Sequence, residues 1–124
     1  MKLEHIALNI SDIEEAKNFY VDILEMKELK NFVLKSELAQ KIFNINKDTP
    51  AFFLQKDDVF LELFVNDEKL KQGFNHICIS VNDRENLVKK SEAKNYNCVR
   101  IKRDFSDLIF INDKSGNIFE VKEK

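Results

Sequence analysis

HIALNISD at residues 5–12 returns as HICISVND at residues 76–83, and the reading of this pair decides the fold. Histidine, isoleucine and the final aspartate stand at matched places, with like-for-like changes between. The chain has two histidines, and each opens a copy. Both copies alternate as a half-buried strand does. In the first, Ile6, Leu8 and Ile10 form the apolar face, and His5, Ala7 and Asn9 point the other way. A repeat at this spacing means two copies of one supersecondary unit.

The residues after each copy support this. Behind the first stands SDIEEAKNFYVDILEM. Ser11 or Asp12 serves as N-cap, with Glu14 or Glu15 closing a capping box. Ile13, Ala16, Phe19, Tyr20 and Ile23 or Leu24 recur at α-helical spacing. KELKNFVLK then reads as a strand. SELAQKIFNI reads as a short helix capped by Ser36, with Leu38, Ile42 and Phe43 inward, placed either to cover a cleft or to fill packing space. Asp48 and Pro50 mark a turn. PAFFLQ and DVFLELFV form a hairpin around Lys56 and Asp57. After the polar connection NDEKLKQG (66–73), Asn82 or Asp83 caps a helix through RENLVKKSEAKNY. NCVRIKR is a strand, and DLIFIND and NIFEVKE form a hairpin whose turn needs Gly116 for positive φ. The expected fold is α+β: one domain over residues 1–124, built from two βαβββ modules (1–66 and 74–124) with mixed sheets curved into a cup.

Bulk composition narrows the function classes. The chain has 124 residues, 44% of them hydrophobic and 34% charged, which suits one compact core. A net charge of −2 gives no electrostatic case for nucleic acid or an anionic membrane. The basic residues Arg100, Lys102 and Arg103 have acidic neighbours. No apolar run reaches the ~20 residues of a membrane span, and no signal-peptide pattern opens the chain, so a cytoplasmic location is expected. Cys78 and Cys98 do not make a disulfide framework.

Two carboxylates stand out beside the two histidines. Glu62 interrupts FLELF and Glu120 interrupts IFEVK, each in the last strand of its module. Phe60, Glu62 and Phe64 share one face, and Leu61, Leu63 and Val65 the other. Ile118, Glu120 and Lys122 likewise oppose Phe119 and Val121. A half-buried carboxylate needs a partner. Two imidazoles and two carboxylates at matched positions of a repeat suit a borderline divalent ion, and two glutamates balance its charge. His5, Glu62, His76 and Glu120 are the expected ligands of one ion per site, from among zinc, nickel, cobalt, iron and manganese, with nickel, zinc or cobalt foremost. Phe60 and Phe64 flank Glu62 on the expected pocket face. Cys78 shares a strand face with His76 and reads as a small hydrophobe.

These residues also carry a resemblance. HIALNISDIEEAKNFYVDILEM resembles the opening module of the glyoxalase I, bleomycin-resistance and extradiol-dioxygenase group, the vicinal oxygen chelate superfamily. Glu25 stands where that pattern commonly has glycine. FINDKSGNIFEV is similar to the family's closing motif, with Lys114 in place of proline. The likeness covers essentially the whole chain and is weakest from about Lys35 to Thr49.

The resemblance implies more than the residues do alone. The glyoxalase I pattern is His, Glu, His, Glu, filled here by His5, Glu62, His76 and Glu120. It implies a lyase or isomerase acting on the hemithioacetal of a 2-oxoaldehyde and a thiol, with a metal stabilising the enediolate. Glu120 is then the base that moves the proton, with Glu62 as its opposite number. Asn66 matches a glutathione-contacting asparagine. Asn9 stands where an arginine usually grips a glutathione carboxylate, leaving Lys102 or Arg103 to supply charge. The resemblance also implies a homodimer with a small-molecule substrate. Its other members offer two alternatives: an acyl-CoA epimerase, and a dimer that binds a drug or metabolite without turnover.

Overall fold

The computed structural model describes residues 1–68, 71 and 73–124. The chain divides into two units, Met1–Glu68 and Lys69–Lys124. Part of the connection read at 66–73 (Lys69, Leu70 and Gln72) lies outside the described residues.

In the first unit β1 (Ile6–Ile10) leads through a helical stretch to β2 (Lys27–Leu34), helix α1 (Ser36–Phe43), β3 (Thr49–Lys56) and β4 (Val59–Val65). The sheet order is β1-β4-β3-β2. The first strand therefore lies parallel against the last, and the other pairs are antiparallel. The second unit repeats this without the short helix. Strand β5 (Ile77–Val81), helix α2 (Arg84–Ala93), β6 (Asn97–Ile101), β7 (Leu108–Asn112) and β8 (Ile118–Glu123) form a sheet ordered β5-β8-β7-β6. Both βαβββ modules are present as two four-stranded mixed sheets. Among the described residues no helix is long and apolar enough to cross a membrane.

Four local expectations are corrected. The first helix is not a regular α-helix: residues Ala16–Val21 form a π-helix, closed by bonds such as Asp22 N–H to Lys17 O and Leu24 N–H to Phe19 O. The buried residues explain it. Glu15, Ala16, Phe19, Tyr20, Ile23 and Leu24 recur in pairs every four residues, slightly slower than an α-helix turns. Widening to i→i+5 bonds keeps both members of each pair facing the sheet. Phe19 and Tyr20 then lie fully buried with their rings edge to face at 5.1 Å. Ile13, counted by the 3.6 spacing, is left exposed. The residue before the π-helix is Glu15, which makes no side-chain capping bond; Asp12 Oδ1 accepts from Glu14 N–H at 2.9 Å one turn earlier.

The second correction concerns α1. Ser36 does not cap it. Lys35 is the N-cap residue, and Ser36 N–H donates to Asp48 Oδ1 at 2.8 Å. Leu38, Ile42 and Phe43 do not face inward: each is half or more exposed, and Ala39 is the buried residue. Third, Pro50 lies within β3 rather than in a turn. It sits beyond the stretch paired with β4, where its missing N–H costs no ladder bond on that side. Lys56 is likewise the last residue of β3, and the turn falls at Asp57 (φ 52°) and Asp58. Fourth, α2 ends at Ala93, three residues before Tyr96, with Asn95 at φ 63° turning the chain.

Other expectations hold. Asp83 caps α2 by accepting from Asn86 N–H at 2.9 Å. Glu25 occupies the left-handed region at φ 59°, as its alignment with a common glycine suggests. Lys56 Nζ steadies that bend through Leu24 O at 2.9 Å and the Glu25 carboxylate at 3.2 Å.

The β7–β8 turn is organised by Asp113, which is 5% exposed. Its Oδ1 accepts from Ser115 N–H at 2.9 Å and Asn117 N–H at 2.8 Å, and its Oδ2 from Asn117 Nδ2 at 2.8 Å. Gly116 at φ 97° completes the bend. Asp113→Ala strips these charge-assisted bonds and should cost about 2–3 kcal/mol in urea melts. Asp113→Asn, which keeps an acceptor for both N–H groups, should lose about half as much. Equal stability of all three proteins contradicts this account of the turn.

Candidate metal centre

Within the first unit, parallel pairing sets Ala7 beside Glu62, and antiparallel pairing sets Glu62 beside Phe53. Residues opposed in this way share a sheet face. Leu61 and Leu63 pack into the core on the other face. Glu62 stays about four-fifths covered without being sealed. His5, just before β1, reaches the same face: its Nε2 lies 3.4 Å from Glu62 Oε2. The Phe53 ring meets the imidazole nearly edge on, with centroids 5.7 Å apart and planes at 83°.

The second unit builds the same group. Cys78 pairs with Glu120, and Glu120 with Phe110. His76 Nε2 lies 3.4 Å from Glu120 Oε2, and Phe110 meets the imidazole at 6.0 Å and 74°. Phe53 and Phe110 are a matched pair that sequence reading misses. In AFFLQ two adjacent phenylalanines point to opposite faces, and only the β3–β4 register tells which one accompanies the glutamate.

In the second unit the donor chemistry fits a cation between the two side chains. His76 Nδ1 is 2.8 Å from Phe74 O, a carbonyl that can only accept, so Nδ1 carries the proton. A neutral His76 then presents the Nε2 lone pair to a carboxylate oxygen. Two acceptors at 3.4 Å repel unless a positive species lies between them. A proton on the ring would serve, and so would a metal ion. Two donors each about 2.1 Å from one ion at a tetrahedral angle stand about 3.4 Å apart. The second ring nitrogen anchored on backbone is also the usual arrangement of a ligating histidine. Each unit supplies one imidazole and one carboxylate. Among the described residues no group of three or more histidine, cysteine, aspartate or glutamate side chains is arranged to hold an ion.

The other expected site residues divide. Phe60 and Phe64 share the face of Glu62. Phe60 stacks on Phe53 at 6.0 Å, and Phe64 lies 5.9 Å from Phe43 of α1. Asn9 is half-buried beside Phe64. Asn66 is built into the end of β4: its N–H donates to Ile10 O at 2.8 Å, and its Oδ1 accepts from Lys47 Nζ and Glu68 N–H, both at 3.3 Å. Lys102 and Arg103 lie outside the row that carries Glu120. That row crosses β6 at Val99, and both residues come after the end of the strand. Arg103 Nε donates to Ser106 O at 2.8 Å, and its guanidinium covers the Phe105 ring at 4.5 Å. The basic side chain near Glu120 is instead Lys122, 3.7 Å from Glu120 Oε1.

Two mixed sheets of this topology, each carrying a His–Glu pair on one face, define a duplicated βαβββ protein. The chain matches the model of the Glyoxalase/Bleomycin resistance protein/Dioxygenase superfamily over residues 2–121, and it belongs to that family. It is 25% identical to a lactoylglutathione lyase of Arabidopsis thaliana over 97% of its own length, and it spans only 43% of that relative. Among solved structures it resembles a glyoxalase family protein from Enterococcus faecalis (TM-score 0.72, 21% identity, 97% of this chain and 95% of that one). It also resembles the fosfomycin resistance protein FosX from Listeria monocytogenes (TM-score 0.76, 16% identity, 100% and 93%). A further structure of that protein, the E126Q mutant, is a complex with Mn(II) and 1S,2S-dihydroxypropylphosphonic acid (TM-score 0.75, 17% identity, 98% and 90%).

Cys78 reports on this face. Cys78 is exposed, yet its thiol is pushed up by partial desolvation first and next by the negative charge of Glu120. Less thiolate is therefore present at a given pH. Alkylation of Cys78 by iodoacetamide, read by peptide mass spectrometry, should be slower than that of free cysteine at pH ~8 and should rise only at higher pH. Glu120→Gln should move the profile partway back. A Cys78 that reacts like free cysteine, unaffected by that change, contradicts the arrangement.

Proposed function

We propose that this protein is a metal-dependent lyase or isomerase of the glyoxalase I type, acting on the hemithioacetal of a 2-oxoaldehyde and a thiol. The observation that carries the reading is the repeated His–Glu pair, 3.4 Å apart in both units. In this reading His5, Glu62, His76 and Glu120 serve one divalent ion per site, with nickel, zinc or cobalt foremost. When bound, such an ion polarises vicinal substrate oxygens and lowers the cost of negative charge developing on them.

The chain's own residues do the rest. The imidazoles hold fixed directions, His76 through the Phe74 carbonyl and both through the edge of a phenylalanine ring. The carboxylates are mostly covered yet reachable, as a group that takes and returns a carbon-bound proton must be. Glu120 is assigned as the base and Glu62 as its counterpart toward substrate of the opposite hand. Phe60 and Phe64 exclude water from the Glu62 side, and Asn9 lies beside them. The working form is a homodimer in the cytoplasm.

The same donors accommodate an acyl-CoA epimerase, whose chemistry also removes a proton beside a carbonyl. The likeness to FosX brings fosfomycin into the substrate panel. Protein purified without chelator should carry about one divalent ion per site, and a His5→Ala/Glu120→Ala double variant should lose it, as read by mass spectrometry of metals beside light scattering for the oligomer. Metal-loaded protein should convert methylglyoxal with at least one of glutathione, coenzyme A or mercaptoethanol, and Glu120→Gln should lower kcat at least about a hundredfold. An ion-free protein that takes up no nickel, cobalt or zinc sinks the proposal. Metal uptake with turnover of an acyl-CoA or fosfomycin alone redirects it to the other chemistry.

A further inference from the structure

We propose that Lys30 is a specificity-determining residue that selects substrates bearing an anionic group, carboxylate or phosphate, through a cation set into the aromatic face of the first sheet. The inference rests on that sheet face being the substrate side of the enzyme proposed above.

The backbone makes the case first. The β2–β3 ladder slips between Glu28 and Lys30: Glu28 opposes Leu54, and Lys30 opposes Phe53. Leu29 is the extra residue of a β-bulge. Without it, strict alternation would set Leu29 beside Phe53 and turn Lys30 toward the fully buried Leu54 side. The bulge thus places a lysine in the row Ala7–Glu62–Phe53–Lys30. Re-aiming one side chain is a known use of bulges.

The side chain's surroundings make the case second. Lys30 Nζ lies 5.6 Å from the centroids of both Phe32 and Phe53. The side chain is exposed, and among the described residues no carboxylate pairs with it; Lys27, Lys89 and Lys102 share that, and what sets Lys30 apart is the pair of rings beside its ammonium. An ammonium held only by ring faces keeps its hydrogen-bond donors for a ligand. The Phe53 ring that carries it also abuts His5, so the cation stands one aromatic ring from the His–Glu pair. The equivalent row in the second unit ends at Val99, so the feature belongs to one unit only. Two strand spacings separate Lys30 from Glu62, about 10 Å between backbones. A substrate whose anionic group lies that far or somewhat less from its reacting oxygens spans both.

The test compares Lys30→Met and Lys30→Arg with the native chain in two ways. Binding of anilinonaphthalene sulfonate and of its uncharged relative phenylnaphthylamine is measured by fluorescence, with circular dichroism melts to confirm folding. Lys30→Met should weaken the sulfonate relative to the neutral dye by roughly fivefold, the size of one partly exposed charge contact. Lys30→Arg should keep the native ratio, and added salt should erode it in the native protein. In the second arm, kcat/KM for methylglyoxal with glutathione or coenzyme A, each divided by that with mercaptoethanol, should fall in Lys30→Met through KM. The thiol whose ratio falls identifies carboxylate or phosphate as the source. Unchanged ratios in the dye arm overturn the proposal whether or not the protein turns over any thiol adduct. A protein without turnover but with the dye effect overturns the lyase reading and leaves Lys30 as a binding determinant.

Discussion

Everything at the candidate site depends on the parallel pairing of the first strand of each unit with its last. A parallel neighbour in a short chain requires the intervening residues to cross over, and the helical stretch after β1 and helix α2 make those crossings. Once β1 lies on β4, Ala7 is fixed beside Glu62, and the histidine two residues before Ala7 reaches the carboxylate. The same holds for Cys78, Glu120 and His76. Residues 57 and 44 positions apart in sequence become neighbours through one ladder in each unit. A one-residue slip in either ladder would turn the glutamate into the core, where an unpaired carboxylate is far costlier than at a half-open face.

The face that holds the pair is built by exclusion. Leu61, Leu63, Phe119 and Val121 fill the core side of β4 and β8, so alternation delivers the glutamates to the opposite side. There each carboxylate is shielded by a phenylalanine from the neighbouring strand and not by a counter-charge alone. The aromatic edge presented to each imidazole limits its rotation without competing for its lone pair. Such a setting leaves the carboxylates mostly covered and the imidazoles about two-fifths exposed.

Much of this is legible in the sequence because it rests on periods of two and on close repetition. The duplicated strand, the faces of FLELF and IFEVK, the Asp83 cap and the Gly116 turn all arise from local pattern. The features that are not legible rest on departures from a regular period. Paired burial every four residues widens the first helix, and a 3.6 count places Ile13 in the core where it is exposed. The amphipathic pattern of α1 identifies a helix but not which side meets the sheet, and Ala39 is the residue buried. A motif position singles out Asn66, and the structure shows its amide oxygen accepting two hydrogen bonds that finish the strand. Charge alone points to Lys102 and Arg103, and charge says nothing of the row a residue occupies. Lys30 escapes notice because a bulge changes the face of every residue beyond it and leaves no mark in the alternation of KELKNF.

The two units differ where the repeat is not held by the His–Glu pair. Two residues past the glutamate stands Phe64 in one unit and Lys122 in the other. Beside the glutamate stands Ala7 or Cys78, and at the far end of its row Lys30 or Val99. The His–Glu pair itself recurs at the same spacing in each unit, so what distinguishes one sheet face from the other is the set of side chains around it. Beyond the matched Phe53 and Phe110, the first unit adds Phe60, Phe64 and a lysine without a carboxylate partner among the described residues, and the second adds Cys78, Val99 and a lysine already drawn to Glu120. Around the same imidazole and carboxylate the two sheet faces therefore carry unlike surroundings. Duplication gives the matched pairs, and divergence around them gives each face its own character.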